Sequence, residues 1–300
     1  MKQLFYKLIY QPQVNFLLRN INKSLLPIMP IKVKLPPSGK MVMYDSKNQK
    51  IKLYTNQTNY LTHLLYWEGG AMNFEYTSIF LALIRRMQCF YDIGANIGYY
   101  SLLAAAENKD IHVVGFEPAT GPLYYFKKNV QANRFKNIQI ESVALAEREG
   151  ELVFYEIKNK KYTYLEHNLA GESNAGSKTK GKNFVKVNVK ATTLDRFAKK
   201  NNHAIDLIKM DTEGTEHLIL QQGSEVLEHY KPIVICETLF NAIEPELEKV
   251  MKVHNYLFFN HVADGLQQVD TIIRNQDNGV RNCFFVHPSK LTLIQDFIIK

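Results

Sequence analysis

The stretch FYDIGANIGYYS, residues 90–101, runs from an aromatic and aliphatic segment into an acid, Asp92, and then sets Gly94 and Gly98 four positions apart with Asn96 between them. A glycine-rich turn between an apolar run and a helix is where an α/β sheet holds a nucleotide-like ligand. Glycine permits a tight turn and close backbone approach, and the following helix, starting near Tyr99 and Ser101, presents free N–H groups. The dinucleotide fingerprint GxGxxG does not fit here. With its first glycine set on Gly94, Asn96 and Tyr99 stand where glycines are required. What is left is a turn led by an acid, suited to a ligand with an amino or cationic group instead of a pyrophosphate.

Outward from this turn, short apolar runs alternate with helical stretches: CFYDIG, GYYSLLAAAE, IHVVGFEP, GPLYYFKKNVQAN, NIQIESVAL, then AIDLIKMD, TEHLILQQGSEVLEHY and PIVICET. Apolar strands alternating with helices predict a doubly wound, mostly parallel sheet buried on both faces. After PIVICET and a helix over PELEKVMKVH, the runs YLFFNHVADGLQQVD and NCFFVHPS read as an antiparallel pair on one edge. Between residues 151 and 195 the rhythm is broken by LVFYEIK, a polar stretch HNLAGESNAGSKTKGKN, and FVKVNVK. Ahead of residue 88, LPPSGK reads as a turn, MVMYDSKNQKIKLYT as one or two short strands and FEYTSIFLALIRRM as a helix. The chain thus divides into an arm, 1–66, and a larger domain, 67–300, with a polar insertion at about 156–190.

Three acids fall at the carboxyl ends of predicted parallel strands: Asp92 after CFY, Glu117 after IHVVGF and Asp211 after IDLIKM. The ligand crevice of an open α/β sheet lies just outside those ends, so all three face one site. Glu117 follows Gly98 by 19 positions (117 − 98), the spacing at which a second strand delivers a carboxylate to the two hydroxyls of a ribose. The pocket therefore reads as adenosine-like without a diphosphate, with a charged tail near Asp92. S-adenosylmethionine is the common cofactor of that description.

DIGANIG, the EP of GFEPATGPL, TTLDRF at 192–197, and IDLIKMDTEGTEHLILQQG followed by PIVICE resemble, in order and spacing, the FkbM-type S-adenosylmethionine-dependent methyltransferases. The resemblance covers about residues 67–290 and is strongest at DIGANIG and DTEGTE. It implies a class I methyltransferase (Rossmann-like) fold with a mostly parallel seven-stranded sheet and an antiparallel edge hairpin. It also implies transfer of a methyl group, typically to a hydroxyl of a sugar, glycan or small metabolite. By the same resemblance Asp92, Gly94, Asn96 and Gly98 form the cofactor turn, Glu117 binds the ribose, and Val143 and Ala144 of SVALA lie against adenine.

A hydroxyl acceptor loses its proton during transfer, so a carboxylate within hydrogen-bond reach is worth roughly 100-fold or more. Asp211 and Glu213 of DTEGTE and Glu237 of ICET are the leading candidates, with Glu216 behind them, while Glu213 or Glu216 could instead cap the helix that follows. Neighbouring carboxylates could bind a divalent cation, though none is favoured. His217 beside DTEGTE is a further candidate, His167 and His261 could reach a substrate, and His63, His112, His203, His229, His254 and His287 read as structural or surface residues.

Composition bounds the remainder. With 46% hydrophobic and 22% charged residues the chain is neither disordered nor fibrous. The formal charge of +8 points to anionic partners, and residues 156–190 alone carry eight lysines against three glutamates. Cys89, Cys236 and Cys283 form no motif and read as reduced thiols of a cytoplasmic protein. The N-terminal apolar residues are interrupted before a signal core or a spanning helix could form, which leaves a basic arm that is expected to pack on the core, though it could rest on a membrane surface. Two other readings follow from the charge: a nucleic-acid methyltransferase, against which MDTEG lacks a base-gripping Pro-Pro-aromatic segment, and a non-catalytic module binding lipid or polysaccharide. No nucleic-acid partner is expected, and the polar insertion is expected to order on substrate binding.

Overall fold

Helices α1 (Lys2–Ile9) and α2 (Pro12–Leu25) lead into a hairpin of β1 (Gly39–Tyr44) and β2 (Lys50–Thr55). The computed structural model describes residues 1–29, 32–169, 184–202 and 204–299. Helices α3 (Tyr60–Trp67) and α4 (Thr77–Ile84) bring the chain to β3 (Cys89–Ile93), which ends in the glycine turn. There follow α5 (Tyr99–Glu107), β4 (His112–Phe116), α6 (Thr120–Asn133), β5 (Ile138–Glu141) and the short β6 (Ala144–Leu145). Strands β7 (Gly150–Ile157) and β8 (Phe184–Thr192) precede α7 (Leu194–Asn201), β9 (Leu207–Met210), α8 (Glu216–Gln221), α9 (Ser224–His229) and β10 (Ile233–Glu237). Helix α10 (Glu244–Val253) and strands β11 (Leu257–Val262), β12 (Gly265–Val269) and β13 (Asn282–Val286) come last.

The main sheet has the order β12-β11-β13-β10-β9-β3-β4-β5, with β5, β4, β3, β9 and β10 parallel. Its central strands are continuous apolar runs because helices cover both faces. Phe90, Leu207 and Ile235 pack under Phe80 of α4 and Leu102 of α5, whereas Tyr91, Ile208 and Val234 pack under Leu220, Leu227 and Met251. From β3 the chain winds outward to β5, and from β9 it winds the other way to β10. The reversal between β3 and β9 is the switch point, and it opens a crevice at the carboxyl ends of the strands.

The antiparallel edge holds three strands, not two, which makes eight in all. The apolar run over 256–269 is split by a two-residue turn at Ala263 and Asp264, with Val262 paired to Gly265, and β13 inserts between β10 and β11. LVFYEIK and FVKVNVK do form strands. They pair antiparallel from Gly150↔Ala191 to Ile157↔Phe184 and, with β6, build a separate three-stranded sheet. Most of the polar stretch between them, including the part expected to order on substrate, lies outside the described residues, as does His203.

The β1–β2 hairpin alternates exposed and buried residues, and Met41, Met43, Ile51 and Leu53 join the same core as α4 and α5. Burying each such side chain is worth about 1.5–3 kcal/mol. Asn129 of α6 locks the hairpin down: its Oδ1 accepts the Tyr54 N–H at 2.6 Å and its Nδ2 donates to Ile97 O at 2.9 Å. Among the described residues no helix is long and apolar enough to cross a membrane.

Candidate active site

The turn after β3 is built by positive backbone angles. Gly94, Asn96 and Gly98 have φ of +73°, +52° and +84°, and a Cβ on Gly94 would sit 2.0 Å from the carbonyl oxygen of Asp211. Only glycine fits where the ends of β3 and β9 approach so closely. The Gly94 and Ala95 N–H groups donate to Phe116 O at 3.1 and 3.0 Å, which ties the turn to the end of β4.

Glu117, at that end, is buried. Its Oε2 accepts the Asn96 N–H and its Oε1 the Ala119 N–H, both at 2.8 Å. Burial pushes its pKa up to about 8, and the two backbone donors resist the shift. The loop DTEGT faces it from β9. Glu216 accepts the Thr212 N–H at 2.6 Å and the Gly214 N–H at 3.1 Å, so it holds the loop closed through donors that precede α8. Within the loop Glu213 and Gly214 have φ of +61° and +103°. A left-handed non-glycine residue is held in place only by a surrounding structure that determines it, and such residues gather at functional sites.

A cavity of about 630 Å³ lies between these loops. Ile93, Gly94 and Asn96 line it from the turn, and Phe116, Glu117 and Ala119 from the end of β4. Val143, Ala144 and Leu145 form one wall, and Asp211, Thr212 and Glu213 the opposite rim. Its size lies within the 300–1,000 Å³ common for small-ligand sites. Of the residues expected to bind a cofactor, Gly94, Asn96, Glu117, Val143 and Ala144 line this cavity, with Asp211 and Glu213 at the rim.

Asp92, Gly98 and Glu237 do not line it. Asp92 is buried beneath the turn, where its Oδ2 accepts both the Ser101 N–H at 3.0 Å and the Ser101 hydroxyl at 2.6 Å, capping the start of α5. Its Oδ1 has no hydrogen-bond partner and faces the Lys209 ammonium at 3.8 Å. Gly98 leaves room for Phe126, whose ring would lie 2.2 Å from a Cβ there.

Lys209 is the residue that sequence reasoning missed. Its Nζ also lies 3.6 Å from Asp211 Oδ2 and donates to Gly94 O at 3.3 Å. Burial opposes its charge, but Asp211, Asp92, Glu75 and Glu237 together hold its pKa above the ordinary lysine value. Glu75, also missed, has φ of +42° and accepts the Tyr100 hydroxyl at 3.2 Å. Its pKa is raised by burial, with Lys209 opposing. Glu237, next along the strand ends, is pushed up to about 8 by burial and then by Asp211, Glu213 and Glu216, with Lys209 opposing. The signal for Lys209 was a lone cation inside LIKM, since an unpaired charge does not survive in a central parallel strand.

His261, at the end of β11, packs its ring against Tyr76 at 5.9 Å, and burial lowers its pKa. His167 stacks on Tyr124 at 4.1 Å. Among the described residues no group of three or more His, Cys, Asp or Glu side chains could hold a metal ion.

Residues 92–262 match the family model of the methyltransferase FkbM domain. No curated protein matches the chain. Among solved structures it is similar to a methyltransferase FkbM from Methylobacillus flagellatus KT, with 14% identity and a TM-score of 0.43 over 66% of this chain and 43% of that one. This chain thus spans less than half of that protein. A SAM-dependent O-methyltransferase from Thermotoga maritima aligns at 11% identity, covering 84% of this chain and 78% of that one, with a TM-score of 0.41. TYW2 of M. jannaschii, in complex with AdoMet, aligns at 11% identity over 85% and 90% of the two chains, with a TM-score of 0.38.

Proposed function

The chain belongs to the methyltransferase FkbM domain family, and on that premise we propose that it transfers a methyl group from S-adenosylmethionine to a hydroxyl oxygen of a sugar, glycan or small metabolite. The observation that carries the reading is the cavity at the switch point, lined by the Glu117 carboxyl and by Asp211, which Lys209 meets from outside the lining at 3.6 Å.

The donor set fits the cofactor. A carboxylate offers about four lone-pair positions. Backbone N–H groups occupy one on each oxygen of Glu117, which leaves two acceptors for the two hydroxyls of a ribose. Phe116, Val143 and Leu145 supply apolar walls for adenine. Bound there, S-adenosylmethionine supplies an already activated methyl. The residues around it then have to place an acceptor oxygen and take its proton. Positioning of that kind is worth up to roughly 7–11 kcal/mol in model systems.

Asp211 and Glu213 at the rim are suited to hold acceptor hydroxyls, and Asp211 is kept in place by Lys209. We assign the general base to Glu237, which stands outside the cavity but beside Asp211 and Glu213 of its rim, so that it would take the proton of an acceptor held at that rim. Its carboxyl, pushed up to about 8, titrates near working pH, where a base accepts a proton most effectively. Lys209 belongs to the framework: it neutralises Asp92 and Asp211 and anchors the turn through Gly94 O.

Calorimetric titration of S-adenosylmethionine and S-adenosylhomocysteine into the wild type and Glu117→Ala tests the cofactor. Micromolar binding is expected, lost in the variant. Radiolabelled methyl transfer onto panels of sugars, nucleotide-sugars and RNA then tests the acceptor. Label in RNA alone would overturn the hydroxyl-acceptor reading, and no cofactor binding by the folded wild type would overturn both.

A further inference from the structure

Helix α2 is amphipathic the wrong way round. A surface helix normally turns its apolar stripe to the core and its polar face to water. In α2 the inward row is Asn15, Arg19 and Asn22, at i, i+4 and i+7, with Asn15 and Arg19 fully buried. Arg19 donates to Ser38 O at 3.2 Å and Lys40 O at 2.6 Å. The Asn15 Oδ1 accepts the Ser38 N–H at 2.7 Å, and the Asn22 Oδ1 accepts the Leu35 N–H at 2.9 Å. These bonds clamp the helix, polar face inward, along the segment entering β1.

The apolar residues point out. Phe16, Leu17 and Ile21 are 57%, 60% and 47% exposed. On α1, Leu4, Phe5 and Leu8 repeat the pattern at i, i+1 and i+4. That helix is fixed as well: Tyr6 and Tyr10 both meet the Tyr162 ring edge-on, at 5.3 and 5.4 Å. Two helices held rigidly with apolar stripes outward form an interaction surface, not a packing remnant.

Charge selects the partner. Residues 1–44 carry seven Lys and Arg and no Asp or Glu, a local excess of +7 beside the +5 of residues 156–190, although Arg19 is buried and Lys34 is paired with Glu68. At 8 and 14 residues the helices are too short to span a bilayer, which takes about 20 residues, but each has the length and pattern of a helix lying in the headgroup plane. We propose that the α1–α2 arm docks the protein on an anionic lipid bilayer, with Leu4, Phe5, Leu8, Phe16, Leu17 and Ile21 entering the interface and Lys2 and Lys7 of α1 contacting headgroups. The proposal does not depend on the reaction or the cofactor. It adds a site on the face formed by the arm.

Flotation with vesicles of equimolar phosphatidylcholine and phosphatidylglycerol, and with phosphatidylcholine alone, tests it. Wild type is expected to bind the anionic vesicles at least about tenfold better than the neutral ones, less tightly as salt is raised. The combined variant Phe16→Ser/Leu17→Ser/Ile21→Ser, whose exposed positions leave the melting curve unchanged, is expected to lose that binding about tenfold or more. Lys2→Glu/Lys7→Glu should lose the preference for anionic vesicles. Wild type that binds neither vesicle overturns the proposal, as does a serine variant that binds like wild type. Sedimentation velocity identifies the rival occupant: a wild-type dimer that the serine substitutions dissociate, without vesicle binding, would make the face a self-interface and overturn the lipid reading.

Discussion

Glu117 and Glu237 are both carboxyls at strand ends, and burial pushes both up to about 8, yet they stand in opposite surroundings. On the β3–β4 side, Glu117 has one backbone N–H on each oxygen and lines the cavity. On the β9–β10 side, Glu237 is crowded by Asp211, Glu213 and Glu216, with Lys209 as the opposing charge. An acid held by fixed donors is built to accept hydrogen bonds from a ligand. An acid destabilised by like charges is built to take up a proton. The same shifted pKa therefore marks a binding half and a transfer half, and the two meet at Gly94 and Lys209.

Removing that junction gives the largest effect. Lys209→Met leaves Asp92 and Asp211 without their cation in a site where Lys209 is itself 7% exposed. Breaking a buried pair in this way costs about 3–5 kcal/mol. Urea unfolding at pH 7 should show that loss, and at pH 5 the loss should shrink as Asp92, whose pKa burial raises, takes up a proton. Equal destabilisation at both pH values would mean that packing, not charge, joins the halves.

Glu237→Gln should act on turnover and not on cofactor binding. Loss of a general base lowers kcat by roughly 100-fold, while the S-adenosylmethionine Kd stays as in wild type. Wild-type kcat should rise with pH and level off above about 8, where Glu237 is ionised, and the variant should lack that rise. A variant with weakened cofactor affinity and unchanged kcat would reverse the assignment of the two halves.

Glu117→Gln should do the opposite. The amide can accept one of the two backbone N–H groups but sets its own NH₂ against the other, and above about pH 8, where Glu117 is ionised, it loses the charge that ribose hydroxyls would meet. Hydrogen bonds to a charged group are worth about 1.5–3 kcal/mol, so calorimetry should show cofactor affinity falling by roughly 10-fold to 150-fold. The kcat at saturating cofactor should change little.

How much of this was legible before the structure follows from strand parity. CFYDIG, IHVVGF and IDLIKM mark central strands because burial on both faces leaves unbroken apolar runs, and the glycine turn marks where they hold a ligand. The sequence places an acid at each strand end but not the face it takes. Asp92 is in register with Lys209, Lys209 with Ile235, and Glu237 follows two residues on, so all three lie on the α4–α5 face. Ile93 and Met210, one residue along, turn to the other face. That one-residue parity puts Asp92 under the turn and makes Lys209 a hub, and neither follows from spacing within one segment. The outward stripe of α2 escaped altogether: residues 12–25 give no helix in the sequence reading, and a helical period alone would not say which face meets the core.

The smallest effect separates the halves by stability. A carboxyl whose pKa is raised on folding disfavours the folded state once ionised, so its contribution is best below about 4.5, falls as pH rises, and is lowest above about 8. Glu237→Gln removes that cost without leaving a donor unmet among the bonds described. The variant should therefore melt higher than wild type at pH 8–9, by about 1 kcal/mol or a few degrees, and the gap should close towards pH 4.5. Glu117→Gln relieves the same desolvation but forfeits a backbone hydrogen bond worth about 1 kcal/mol, so its melting temperature should not exceed wild type at any pH. Parallel melting profiles for the two variants would mean that burial alone governs both acids and that the like charges around Glu237 do not set it apart.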